Sequence, residues 1–211
     1  GKRKVVMFSL EMTKEQLAMR VLATEARVNS SKMRTGELDG EDWERLGMAT
    51  GVLSKCELYF DDTSSITVAE MKAKIRRMKD VECVIIDYLG LIKPAGRVEN
   101  RVQAVSEITR ELKMMAKDLN IPVVVCAQLS RGTEGRGKSH RPQLADLRES
   151  GSIEQDADIV MFLDRSSNEQ EAGREDRPPE GITRIIVAKN RSGPIGDVDL
   201  VFLAASTKFY E

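Results

Sequence analysis

The sequence predicts an α/β fold: a mostly parallel central sheet flanked by helices, with antiparallel strands closing the C-terminal end. Two observations carry this reading. Strand-length apolar runs without polar alternation occur along the chain, Val84-Ile85-Ile86 most clearly, and such runs mark strands covered on both faces of a parallel sheet. These runs alternate with amphipathic stretches opened by capping residues, which is the rhythm of βαβ units. The 211 residues suit one domain spanning 1–211, since domains commonly hold about 100–200 residues.

Lys4 to Leu10 (KVVMFSL) reads as a buried strand, with Glu11 directly after it. Thr13 with Gln16 three residues on forms a capping box and opens a helix with Leu17, Val21 and Leu22 on one face. A short helical stretch follows from Ser30 to Arg34 and stops at Gly36. Asp39 caps a helix carrying Trp43, Leu46 and Leu53. Glu57 to Phe60 is a short strand, and Asp61 to Ser65 a loop. Thr67 and Glu70 make a second capping box, whose helix runs through Met71, Ile75 and Met78 towards the strand ending at Asp87.

After Pro94-Ala95-Gly96 comes the longest helix, where Val102, Val105, Ile108, Leu112, Met115 and Leu119 recur every three or four residues. Pro122 ends it. Val123 to Gln128 is the next buried strand, Ser130 to Leu147 a long loop, Asp158 to Asp164 another strand and Ser166 to Gly181 a polar, acidic loop. Ile182 to Lys189, Val198 to Leu203 and Lys208 to Tyr210 are closing strands, with Ser192-Gly193-Pro194 as a turn.

Composition excludes several classes. With 41% hydrophobic and 32% charged residues the chain is neither disordered nor a membrane protein, and no apolar run approaches the roughly 20 residues that cross a bilayer. A formal net charge of −1 means that any nucleic-acid binding comes from a local patch. One histidine excludes most histidine-based chemistry. Cys56, Cys83 and Cys126 show no CxxC spacing, and two fall in predicted strands, so buried free thiols in a reducing cytoplasm are expected. The start at Gly1-Lys2-Arg3-Lys4 shows no signal-peptide pattern and reads as the beginning of a piece of a longer chain.

Glu11, Asp87 and Gln128 each follow an apolar strand. If the strands are parallel, all three sit at the carboxyl edge, where open α/β sheets bind ligands. Any one alone is most simply a strand or helix cap; the three together make a site. An Asp there holds Mg²⁺, a neighbouring Glu takes a proton from attacking water, and a Gln hydrogen-bonds a phosphate oxygen. Lys189 and Arg191 lie two residues apart, so on an extended chain they point the same way. Such a pair either clamps a phosphate or ends a strand in solvent, and the residues alone leave both open. Between Ser130 and Arg148, five basic residues (Arg131, Arg136, Lys138, Arg141, Arg148) face two acids, Glu134 and Asp146. That balance suits a phosphodiester backbone, although most such loops are merely solvated. The opening Gly1-Lys2 has neither the upstream glycine nor the following Ser/Thr of a phosphate-cradling G-x-x-x-x-G-K-[ST] loop. The expectation is that the chain lacks this loop and alone binds nucleotide poorly.

Several stretches resemble one family: Phe8-Ser9-Leu10-Glu11-Met12, Arg34-Thr35-Gly36, Ile86-Asp87-Tyr88-Leu89, Gln128-Leu129-Ser130-Arg131, Asp146 to Asp158 (DLRESGSIEQDAD) and Ala188 to Ile195 (AKNRSGPI). The chain resembles, over nearly its whole length, the C-terminal RecA-like motor domain of the replicative DNA helicase DnaB family. The resemblance implies a ring-forming, ATP-dependent helicase, a homo-hexamer on single-stranded DNA with primase and helicase-loader partners, in the bacterial cytoplasm at the nucleoid. It implies ATP and Mg²⁺ as cofactors, Glu11 as general base, Asp87 as the Mg²⁺-assisting acid, Gln128 as γ-phosphate sensor, and Lys189 and Arg191 as fingers reaching a neighbouring subunit's site. It implies DNA contact by Arg148, Glu149 and Gly151, to which the basic loop adds Arg131. In the family the phosphate loop, with a central strand and helix, lies upstream of the part matched here, so the chain is expected to be an inactive fragment. A RecA-family recombinase and a non-catalytic DNA- or partner-binding module are the alternatives, and the sequence upstream of Gly1 separates them.

Overall fold

The structure is a computed structural model that describes residues 3–98, 100–129, 141–165 and 181–211. The chain divides into two compact units, Gly1–Gln128 with Ala205–Thr207, and Leu129–Ala204 with Lys208–Glu211.

The first unit runs β1 (Lys4–Ser9), α1 (Lys14–Ala26), α2 (Ser30–Thr35), α3 (Gly40–Leu53), β2 (Glu57–Asp61), α4 (Val68–Arg77), β3 (Val81–Asp87), α5 (Arg101–Leu119) and β4 (Val123–Val125), with a 3-10 turn at Leu89–Leu91. Its sheet has the order β2-β1-β3-β4 and is parallel throughout. Local chemistry starts the helices where the sequence places them. At Thr13/Gln16 and at Thr67/Glu70 both reciprocal capping-box bonds form. Gly36 closes α2 at φ +78°, a left-handed position that costs glycine nothing. Asn120, also left-handed, closes α5 two residues before Pro122.

Register assigns the faces. Val6 pairs with Val84 and Phe8 with Ile86, and all four are at most 2% exposed. Met71 and Ile75 of α4 and Val105, Ile108, Leu112 and Met115 of α5 are buried too, and these two helices pack on each other. Met7, Ile85 and Val124 pair on the opposite face, which is only half covered, with Val124 46% exposed. This corrects the expectation of strands buried on both faces. The run of β-branched residues reports strand propensity, while coverage is set by elements far along the chain. The thiols are corrected likewise: all three are free, but Cys56 and Cys126 are exposed and Cys83 half-buried.

α1, α2 and α3 gather around Ala26, Val28, Leu46 and Ala49. Trp43 is not in this core and is 63% exposed. Asp42, one residue earlier and so about 100° round the helix, turns inward with a side chain only 2% exposed. Its carboxylate accepts from Lys32 Nζ at 2.9 Å and Arg45 Nη2 at 2.6 Å, and also bonds the Asp39 backbone N–H of the cap. The two cations and the backbone N–H supply the partners that a carboxylate turned inward needs.

The second unit comprises a 3-10 segment (Leu144–Ser150), α6 (Gly151–Asp156), β5 (Ile159–Arg165), β6 (Ile182–Asn190), β7 (Gly196–Leu203) and β8 (Lys208–Tyr210). Its four strands are antiparallel in chain order, which bears out the closing strands. Leu147, Val160, Phe162 and Ile186 form its core, with Leu144, Ile153 and Ala157 packed against them. β5 alternates burial, leaving Ile159, Met161 and Leu163 exposed. Among the described residues no helix is long and apolar enough to cross a membrane.

Candidate functional site

The parallel order places the ends of β1, β3 and β4 side by side, and Glu11, Asp87 and Gln128 follow those ends. Ser9 is in register with Asp87. Beyond it, the Leu10 N–H donates to the Asp87 carbonyl at 2.8 Å, and the Leu89 N–H to the Cys126 carbonyl at 2.9 Å, so the edge is tied across all three strands. The three residues named from the sequence therefore follow adjacent strand ends, as the parallel reading expects. One detail differs: β4 ends at Val125, and Gln128 is exposed three residues further on.

Glu11 rides on a fixed turn. The Ser9 hydroxyl, in a residue 1% exposed, donates to the Met12 carbonyl at 2.8 Å and accepts from the Met12 N–H at 3.2 Å. Both hydrogen bonds straddle Glu11, whose own side chain faces solvent. The capping box of α1 fixes the far end at Thr13, and Asp62 accepts from the Lys14 N–H. Ser9 is the residue that sequence reasoning missed, since a serine inside an apolar strand carries no signal of what its hydroxyl will meet.

Asp87 is half-buried. Its carboxylate stands near Cys126, an exposed residue whose thiol is held above its ordinary value first by partial desolvation of the sulfur and then by the Asp87 charge. Behind it the Tyr88 ring covers Gly90, where a Cβ would lie 2.8 Å from Tyr88 Cε2. Among the described residues no cluster of three or more His, Cys, Asp or Glu could hold a metal on its own. Asp87 alone offers one carboxylate at this edge, a donor count compatible with Mg²⁺, which commonly takes one or two carboxylates and completes its shell with water and substrate phosphates.

In the second unit Lys189 and Arg191 point the same way, as their spacing predicts, and meet the C-terminal end of α6. Lys189 Nζ donates to the Glu154 carbonyl. Arg191 donates Nη2 to the Gln155 carbonyl at 2.6 Å and Nη1 to Asp158 Oδ1 at 3.1 Å. Asn190 organises the following turn through the Ser192 N–H and the Pro194 carbonyl. Arg148 and Glu149 belong to the 3-10 segment and Gly151 starts α6. Asp146 accepts from the Gln143 N–H at 2.7 Å and is buried. Arg131 and most of the basic loop lie outside the described residues. A groove of about 400 Å³ between Arg141–Ala145, Ile186–Ala188 and Ile195–Asp197 contains none of the predicted catalytic residues.

The expectation about the phosphate loop needs correction from the sequence itself. Gly132-Thr133-Glu134-Gly135-Arg136-Gly137-Lys138-Ser139 satisfies G-x-x-x-x-G-K-[ST]. These residues lie outside the described part. The motif works as a strand, loop and helix in immediate succession. Here six residues, 126–131, lie between the end of β4 and Gly132, and Arg141-Pro142-Gln143 beyond Ser139 are not helical, so the described residues on either side do not supply that strand and helix.

A parallel α/β sheet with acids at its carboxyl edge, and in the second unit an antiparallel sheet with a cationic pair at the end of β6, define the class as a RecA-like domain. The chain belongs to the DnaB-like helicase C terminal domain family, whose description matches residues 1–211. It is 48% identical over 209 residues to the replicative DNA helicase DnaB of Geobacillus stearothermophilus, covering 97% of this chain and 45% of that protein. It is 49% identical over 209 residues to the replicative DNA helicase DnaC of Bacillus subtilis (strain 168), with the same coverage. The chain thus spans a little under half the length of these relatives. Two solved structures superpose with a TM-score of 0.88 at 36% identity over 98% of this chain: the ATPase domain of G40P, of which 74% is covered, and a DnaB-like replicative helicase studied with primase, of which 50% is covered.

Proposed function

We propose that residues 1–211 are the motor domain of an ATP-dependent replicative helicase. It works as a homo-hexameric ring on single-stranded DNA in the cytoplasm, at the nucleoid, with hydrolysis at the interfaces between subunits. The observation that carries this reading is the adjacency of β1, β3 and β4, which sets Glu11, Asp87 and Gln128 along one sheet edge. In this reading the Glu11 carboxylate accepts the proton of the attacking water, the Gln128 amide bonds a γ-phosphate oxygen, and Asp87 anchors the nucleotide's Mg²⁺ through its carboxylate. Bound ATP·Mg²⁺ supplies the phosphoryl group and neutralises charge on its oxygens. Lys189 and Arg191 act on the neighbouring subunit's nucleotide, because a cation delivered in trans stabilises the transferring group and couples hydrolysis to the neighbour's position. Arg131, Arg148, Glu149 and Gly151 contact the single-stranded DNA. Primase and a helicase loader are the proposed partners; one structural relative was studied with primase.

The test uses full-length protein. Arg191→Ala is expected to lower ATP turnover by about 10³, the scale of a lost arginine finger. Mixing it with Glu11→Gln protein is expected to restore part of the activity, because some interfaces then hold one intact Glu11 and one intact Arg191. Wild-type turnover by Arg191→Ala refutes the finger role, and no recovery on mixing refutes action in trans.

A further inference from the structure

The two cations read above as fingers are occupied within their own chain. Arg191 spends both terminal nitrogens on the end of α6, one on the Gln155 carbonyl and one on Asp158, while its backbone N–H donates to the Asp158 carbonyl at 2.9 Å. Lys189 takes the Glu154 carbonyl. Carbonyls in the last turn of a helix lack intrahelical partners and carry the negative end of the peptide dipoles, so two cations there satisfy orphan acceptors. The dock remains wet: the Arg191 and Asp158 side chains are 48% and 56% exposed. Exposed pairs of this kind are weak and exchange readily.

The terminal nitrogens of a guanidinium are also the pair that grips a phosphate in a bidentate fashion. Docking on α6 and clamping a neighbour's phosphate therefore compete for the same donors. α6 is short and continues without a break from the 3-10 segment Leu144–Ser150, and both are anchored on one core through Leu147 and Ile153. A single small body thus holds the dock at one end and the segment proposed to meet DNA at the other.

We propose that Asp158 is a positioning residue which, with the Glu154 and Gln155 carbonyls, parks Lys189 and Arg191 on α6, and that exchanging this dock for a neighbour's phosphate links nucleotide state to the DNA-contacting segment. The inference rests on the finger reading. Its thermodynamics are reciprocal: DNA that shifts α6 loosens the cations, and a phosphate that draws off the cations loosens α6.

The experiment compares ATP turnover of full-length wild type, Asp158→Asn, Asp158→Ala and Arg191→Ala with and without single-stranded DNA. Loss of the Asp158 charge is expected to raise DNA-independent turnover roughly two- to fivefold, the scale of an exposed ion pair. The ratio of DNA-stimulated to basal turnover is expected to fall by the same factor, and Asp158→Asn/Arg191→Ala should behave as Arg191→Ala alone. An unchanged ratio in both Asp158 variants, whether overall rates hold or drop, overturns the dock while Arg191→Ala stays inactive. Wild-type turnover by Arg191→Ala overturns the finger reading itself.

Discussion

Ser9→Ala tests the link between the buried strand end and the chemistry at Glu11. The substitution deletes a hydroxyl that makes two hydrogen bonds to Met12 in a residue 1% exposed, and it adds no bulk. Each bond contributes about 0.5–1.5 kcal/mol net, so the turn loses roughly 1–3 kcal/mol of ordering. An energy of that size changes the ordered fraction by about 5-fold to about 160-fold. The ATP kcat of full-length protein should therefore fall by up to that factor. KM for nucleotide should stay within about twofold, because the turn orders a group that acts in the transition state and not in ground-state binding. In a Glu11→Gln background the same change should add little, since the two residues act as a unit. A kcat at the wild-type level, with Glu11→Gln inactive, would refute the claim that Ser9 sets Glu11.

Gly90→Ala puts a Cβ 2.8 Å from a Tyr88 ring carbon, so the ring must move and overpacking of about 1–3 kcal/mol is expected. Thermal melts should show a lower midpoint that Tyr88→Ala largely relieves in the double variant, and additive effects would sink this account. The Lys32–Asp39–Asp42–Arg45 network makes stability depend on pH at both ends. Asp42 is held below its ordinary 3.8, mainly by the Lys32 ammonium, so its contribution is complete above about pH 4 and disappears as pH falls through its lowered value. Lys32 is held above 10.5, chiefly by its bond to Asp42, so its share is lost only as pH rises beyond that. Urea midpoints of wild type should fall below pH 4, and those of Asp42→Asn, lower at neutral pH, should fall less; parallel curves would refute the assignment.

Short-range rules decided much of this chain from its residues alone. Thr13 with Gln16, Thr67 with Glu70, and the stop at Gly36 act within one helical turn, so their geometry follows from neighbours in sequence. The alternation of strands and helices set the parallel order, and the parallel order alone brings Glu11, Asp87 and Gln128 to one edge. The family motifs were legible for the same reason: they are contiguous strings. Tertiary structure decided what depends on distant partners. Which face of β3 is covered, why Trp43 is outside while Asp42 is inside, and where Lys189 and Arg191 rest are each settled by groups elsewhere in the chain. Ser9 meets a turn three residues on, whereas Arg191 finds its acceptors 33 and 36 residues back, at the end of a six-residue helix. Burial and hydrogen-bond partnership are properties of the packed chain, and no local pattern encodes the arrival of a side chain from across a sheet.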